Sequence, residues 1–386
     1  MTVGRKCGCR ISHKVRRTCF ERLTCRLSLF HCRNKRLASG KCVAPEQVHK
    51  NIFKGVYPMR KILPFLVLLT LLAVTACAPQ APAETPSPPE LQHIDLGVGF
   101  IPNVQFAPFY VAQAKGFYAE EGLDVALEYG FENDFVALTA QGERQFAVAS
   151  GDQVILARAQ GLPVVYVMKW YQRFPVGVAV PASAGIEKPT ELAGHSVGIP
   201  GLFGASYVAW KALAYTAGLD ESAVNLQEIG FTQAEALSQG KVDAAVVYIS
   251  NEPVQLRQAG MEVRVIEVSD YMNLVANGIV TNEALLRDNP DLVRGMVRAS
   301  LRGLAYTLEH PDEAFTIARQ FVPDMTDEDA PTQRAVLEAS LALWRSDHPG
   351  YSDPQAWADS VQFMRDTGLL EGEVDVESLY SNQFVE

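Results

Sequence analysis

Between residues 94 and 268 the chain alternates short apolar runs with short amphipathic ones, and it does so twice. Ile94 to Phe100 has period-two apolar spacing, which predicts a strand. Pro108 to Lys115 reads as a helix stopped at Gly116. Leu123 to Glu128 reads as a strand, and Asp134 to Gln141 as a helix stopped at Gly142. Phe146 to Ala149 is the next strand, Gly151 opens a helix that ends at Gly161, and Val164 to Met168 and Val176 to Val180 read as buried strands. The cycle then restarts. Ser196 to Ile199, Leu226 to Ile229, Ala244 to Tyr248 and Val263 to Val268 alternate with helices ending at Ala217, Gln239 and Ala259. From residue 282 onward the pattern is helical. Such alternation predicts an α/β chain with mainly parallel sheets. Two units facing each other make a cleft with a hinge, a layout that closes around a small molecule. The stretches 178–185 and 269–278 are the expected crossovers. The first lobe is then 93–181 plus 277–386, and the second is 182–276.

Charge and cysteine are divided along the chain. Residues 1–58 hold 14 Lys/Arg and two acids, Glu21 and Glu46, whereas residues 77–386 hold 18 Lys/Arg and 42 Asp/Glu. The body's net charge of −24 makes it a poor partner for polyanions, so no nucleic acid is expected. Six cysteines (Cys7, Cys9, Cys19, Cys25, Cys32, Cys42) lie in the basic stretch, Cys77 is the seventh, and none follows it. The body therefore has no disulfide, thiolate metal site or cysteine nucleophile. Its four histidines are scattered, so no metal site and no cofactor are expected.

Residues 59–76 have the form of a signal peptide. Arg60 and Lys61 precede the apolar run Ile62 to Leu72, and Val74-Thr75-Ala76 lead into Cys77. That run is short for a membrane span. Residues 1–58 admit three readings: a Cys/His zinc module, a long n-region, or translated sequence upstream of a start at Met59. The absence of a CxxC pair weighs against the first, and the clean start at Met59 favours the last. Residues 77–92 are a Pro-rich tether with polyproline-like character.

Several segments resemble the NMT1/THI5-like family. They are Gly99-Phe100-Ile101-Pro102-Asn103, Ala107 to Ala112, Lys115-Gly116-Phe117-Tyr118 and Glu120 to Val125. Gly142 to Gly151, Leu192 to Gly198 and Gly240 to Ala244 fit as well. The resemblance covers about 94–300. It implies a type II periplasmic-binding-protein-like fold: two lobes, a hinged cleft and a helical C-terminal segment. It also implies a solute receptor of an ABC importer, with permease and ATPase partners. Val74 to Cys77 resembles a lipoprotein lipobox, which makes Cys77 the lipidation site and anchors the protein to the outer face of the cell membrane. The family's ligands include thiamine pyrimidine precursors, alkanesulfonates, taurine, nitrate and riboflavin. Its enzyme branch, the pyrimidine synthases, uses a cysteine-rich motif that residues 78–386 lack.

The segments after each strand are rich in aromatics and amides and poor in cations. Aromatic faces stack on planar rings, and amides and carboxylates match the edge of a heterocycle or a polyol. Sulfonate or nitrate calls instead for cations or bare helix N-termini. The expected ligand contacts are Asn103, Phe106, Trp170, Tyr171, Phe203, Tyr207, Tyr248 and Glu252. Phe203, Tyr207 and Trp210 share one helical face, which also suits a core stripe. Glu252 could be a first-turn acid favoured by the helix dipole, and Asn103 a turn former. The expected ligand is riboflavin. A formylaminopyrimidine-type precursor, or a sulfonate such as taurine, is the alternative.

Overall fold

A computed structural model describes residues 90–385. The signal peptide, Cys77 and the tether up to residue 89 lie outside the described residues. Among the described residues, ten strands form two sheets of five. In the first sheet β1 (Gln92–Val98), β2 (Leu123–Tyr129), β3 (Phe146–Ser150), β4 (Val164–Lys169) and β10 (Asn277–Asn282) run in the order β2-β1-β3-β10-β4. In the second, β5 (Val176–Pro181), β6 (Ser196–Ile199), β7 (Asn225–Glu228), β8 (Ala244–Tyr248) and β9 (Val263–Glu267) run in the order β7-β6-β8-β5-β9. The two orders are the same once the strand that crosses from the other lobe is recognised in each. β5 enters the second sheet and β10 returns to the first, and each lies antiparallel to both of its neighbours.

Two expectations change here. Only the βαβ pairs β1/β2, β1/β3, β6/β7 and β6/β8 are parallel, so the sheets are mixed. A strand arriving from the opposite lobe runs against its hosts. In addition, Val176–Pro181 belongs to the second sheet, not the first, which moves the first crossover to 170–175. The strand is apolar and buried on both faces, so its composition suits either sheet. The second crossover spans 268–276.

The helical tail packs mainly on the first lobe. Pro290–Glu309 lies along Ala107–Ala114, and Gly303 permits the close approach, since a Cβ there would sit 2.1 Å from the Pro108 carbonyl oxygen. The tail also covers the β4 edge, which would otherwise offer unpaired backbone groups. Tyr166 N–H donates to Leu379 O at 2.9 Å, and Lys169 N–H to Gly350 O at 2.8 Å. One apolar core runs through both lobes, and a smaller one (Ala179, Leu237, Val247, Leu256 and neighbours) lies wholly within the second.

Candidate functional site

The site lies between the sheets, at the carboxyl ends of the parallel strands, where α/β folds place their ligands. An inner chamber of about 80 Å³ is lined by Gly99, Phe100, Gln105 and Phe106, by Phe131 and Glu132 after β2, and by Trp170 and Tyr171 after β4. The second lobe contributes Phe203 and Ser206 after β6, Phe231 and Gln233 after β7, and Tyr248, Asn251 and Glu252 at the end of β8. Asn277, at the start of β10, completes the wall.

Six of the eight expected contacts are therefore brought together: Phe106, Trp170, Tyr171, Phe203, Tyr248 and Glu252. The other two are not. Asn103 is the N-cap of the 3-10 turn Val104–Phe106, with its Oδ1 accepting from Gln105 N–H at 2.9 Å, and it lines only a neighbouring outer groove. Tyr207 lines neither cavity and packs partly buried against the core. The core stripe holds for Tyr207 and Trp210, but Phe203 leaves it, because it sits at the N-cap of Gly204–Ala217 in extended backbone, φ −155° and ψ 171°. Helical i, i+4 spacing does not apply to it. Trp210 is buried, and its Nε1–H donates to Glu221 at 3.0 Å.

The aromatics fall into two groups. Trp170 and Tyr171 are each 2% exposed and form the floor. Trp170 stacks on Trp344 of the tail with centroids 5.7 Å apart, and packs edge-on to Phe109 at 5.0 Å. Phe131, Phe203 and Phe231 are 43%, 44% and 36% exposed. They meet across the cleft: Phe131 lies 5.4 Å from Phe203 and 5.5 Å from Phe231, and Phe100 meets Phe231 edge-on at 4.9 Å. These rings, two from each lobe, form the mouth.

The polar groups are deeply placed. Glu132, in the first turn of Glu132–Gln141, accepts from Ser150 N–H at 2.6 Å and from Ser150 Oγ–H at 2.5 Å. Burial, and then the charge of Asp152, push its carboxyl up to about 8 despite those bonds. Asp152 is raised too, by burial. It accepts from Gln153 Nε2–H at 2.6 Å through one oxygen, and its other oxygen has no partner. Glu252 is pushed up to about 7 by burial, against donation from Tyr248 N–H at 2.9 Å and Asn251 Nδ2–H at 3.0 Å. Near neutral pH, Glu132 is thus mostly protonated and can donate as well as accept. Gln105 Nε2–H donates to Ser250 Oγ of the other lobe at 2.9 Å, tying the cleft together.

No lysine or arginine lines the chamber. Reasoning from sequence did not find Gln233, Ser206 and Asn277. The first two follow loops whose depth is set by lobe closure, and Asn277 begins a strand rather than ending one. Phe131, Phe231 and Glu132 stand directly after strands β2 and β7, a position that marks them in the sequence once the strands are recognised.

A profile of the family described as "NMT1/THI5 like" matches residues 103–314. The "Riboflavin-binding protein RibY" of Chloroflexus aurantiacus is 46% identical over 338 residues, covering 83% of this chain and 96% of that one. The "Formylaminopyrimidine-binding protein" of Halalkalibacterium halodurans is 28% identical, covering 82% and 97%. A protein of Legionella pneumophila named as a 4-amino-5-hydroxymethyl-2-methylpyrimidine phosphate synthase is 25% identical, covering 76% and 92%. Among solved structures, the periplasmic aliphatic sulphonate binding protein SsuA of Escherichia coli superposes with a TM-score of 0.60 at 15% identity, covering 76% of this chain and 92% of that one, and so shares the fold. On the matched span and the 46% relative, the chain belongs to the NMT1/THI5-like family.

Proposed function

We propose that this chain is the extracytoplasmic receptor of an ABC importer and that its ligand is riboflavin. The carrying observation is the inner chamber. It joins five phenylalanine rings from both lobes to buried carboxyls and amides, with no lysine or arginine among its lining residues. A planar ring with a mixed donor and acceptor edge satisfies such a wall. Protonated Glu132 and the amides of Gln105, Gln233 and Asn277 supply both kinds of partner. The 46% relative named for riboflavin supports the same choice. The chain has no phosphate-binding Gly-rich loop followed by Lys, so ATP hydrolysis falls to a separate subunit. A lipid on Cys77 and the Pro-rich tether would hold the receptor at the membrane.

Capture requires movement. At about 80 Å³ the chamber is far below the roughly 300–1,000 Å³ of a filled small-molecule site. The lobes must part at the crossovers 170–175 and 268–276 to admit a ring, then close with the phenylalanines against it. The same small volume favours a second reading, a single-ring formylaminopyrimidine, for which the 28% relative is named. A sulfonate lacks the cations it would need. A synthase lacks the cysteine motif implied for that branch.

Titration of the purified protein decides among these. Riboflavin binding should quench flavin fluorescence as the ring stacks in the cleft. Micromolar or tighter binding of formylaminopyrimidine, with none of riboflavin, would replace the flavin reading with the second one.

A further inference from the structure

An outer chamber of about 340 Å³ lies against the inner one, sharing Phe100, Phe231, Gln233, Asn251 and Glu252 with it. Phe100 and Phe231 line both, and their edge-on contact at 4.9 Å forms the constriction between them. The outer wall is different in kind. It mixes apolar residues such as Ile101, Val322 and Met325 with the acids Glu235, Asp324 and Asp329, and none of its lining residues is a lysine or arginine. Gln333 also lines it, with a buried Oε1 that has no hydrogen-bond partner.

From these chambers, and resting on the flavin reading above, we infer that the site admits a neutral ligand carrying a ring and a hydroxylated tail, and rejects the phosphate monoester of that tail. The ring goes inside the phenylalanine constriction and the tail extends outward. The amides of Gln233, Asn251 and Gln255 on the outer wall can pair with the tail's hydroxyls. A phosphate at the tail's end would bring about two negative charges against an acidic wall. Little offsets that wall. Lys241 lies 3.7 Å from Glu235 in an exposed pair, and Arg319 is engaged by Asp327 at 2.6 Å. Asp329 is held by Thr326, accepting from its N–H at 3.0 Å and its Oγ–H at 2.6 Å, so its carboxylate stays fixed at the wall. Asp324 has no ion pair among the described residues. Deeper in, Glu132 and Glu252 offer a phosphate no compensating cation.

The test compares riboflavin with its 5′-phosphate on the full protein, by fluorescence quenching, at 0.05 M and 0.5 M NaCl. The phosphate ester should bind at least tenfold more weakly at low salt, and the ratio should shrink at high salt because exposed charges are screened there. Asp324→Lys should narrow the ratio several-fold, and Asp324→Asn should narrow it less. Equal affinity for the two flavins, or a ratio indifferent to both salt and Asp324, would overturn this inference and leave the receptor reading standing. Binding of neither flavin would overturn both.

Discussion

The first lobe and the second repeat one strand order, yet they present different surfaces to the cleft. Besides its share of the mouth, Phe100 and the 43% exposed Phe131, the first lobe holds a second set of aromatics, Phe106, Trp170 and Tyr171, that are nearly inaccessible and backed by the tail's Trp344. The second lobe offers Phe203 and Phe231 at 44% and 36% exposure, each on a loop. Both lobes bury polar groups: Glu132 and Asp152 in the first are matched by Asn251, Glu252, Gln233 and Ser250 in the second. The difference follows from the chain's C-terminal third. The tail backs the first lobe's floor through Trp344 and meets the second lobe through Ala330–Trp344 against Glu252–Gln258 and Phe363 against Tyr215, leaving Phe203 and Phe231 exposed as the cover. On the receptor reading proposed above, a rigid floor would preorganise the ligand's orientation and the cover would supply contacts that form on closing.

The largest test of that division is Trp170→Ala. It removes a side chain packed among Phe106, Phe109, Tyr171 and Trp344, and should cost about 3–5 kcal/mol in urea unfolding. A loss below about 1 kcal/mol would mean that the floor is not packed.

Next comes pH. Glu132 titrates near 8 in the fold and near 4.5 in the unfolded chain, so between those values the folded state holds the extra proton. Stability is therefore full at the acid end of that window and falls as pH rises through it. Glu252, raised to about 7, adds in the same direction. The ligand-free protein should melt lower at pH 8.5 than at pH 5.5. Glu132→Gln should flatten that slope, and an unchanged slope would remove Glu132 as its source.

Phe203→Ala and Phe231→Ala probe the cover. Each should leave unfolding stability within about 0.5 kcal/mol, since both rings are exposed. Each should weaken ligand binding roughly two- to tenfold through lost ring contact. A stability loss comparable to that of Trp170→Ala would erase the contrast between the lobes.

The smallest effects belong to the two residues outside the inner chamber. Asn103→Ala removes a cap and should cost about 1 kcal/mol of stability with little change in affinity. Tyr207→Phe should leave ligand affinity unchanged. A marked affinity loss in isothermal titration would put Tyr207 back at the ligand.

Much of the architecture was legible because its signals are local. The glycine stops Gly142 and Gly218 end helices in left-handed backbone, as their position after an apolar run suggested. The helices Pro290–Glu309 and Pro354–Asp366 follow from proline starts and amphipathic spacing. The site was legible where a strand end placed a residue, as for Trp170, Tyr171 and Tyr248. It was not where a backbone turn or cap, which residue identity does not fix, decided the outcome. Phe203 and Tyr207 are four apart, but the backbone turns out of the helix at one of them. Asn103 satisfies its own turn, and nothing in its neighbours' identities says whether the side chain is spent there.

By itself, then, the sequence determined the alternation of strands and helices, the division of charge and cysteine, and the cation-poor loops that limit the ligand's chemistry. Those properties depend on residues close together in the chain. The tertiary structure decided which sheet received Val176–Pro181, which aromatics became floor and which mouth, and how far burial raised Glu132 and Glu252. Each of these depends on partners more than a dozen residues away: the pairing of β5 with β8 and β9, the tail behind Trp170, and the depth of a cleft that exists only when two lobes face each other.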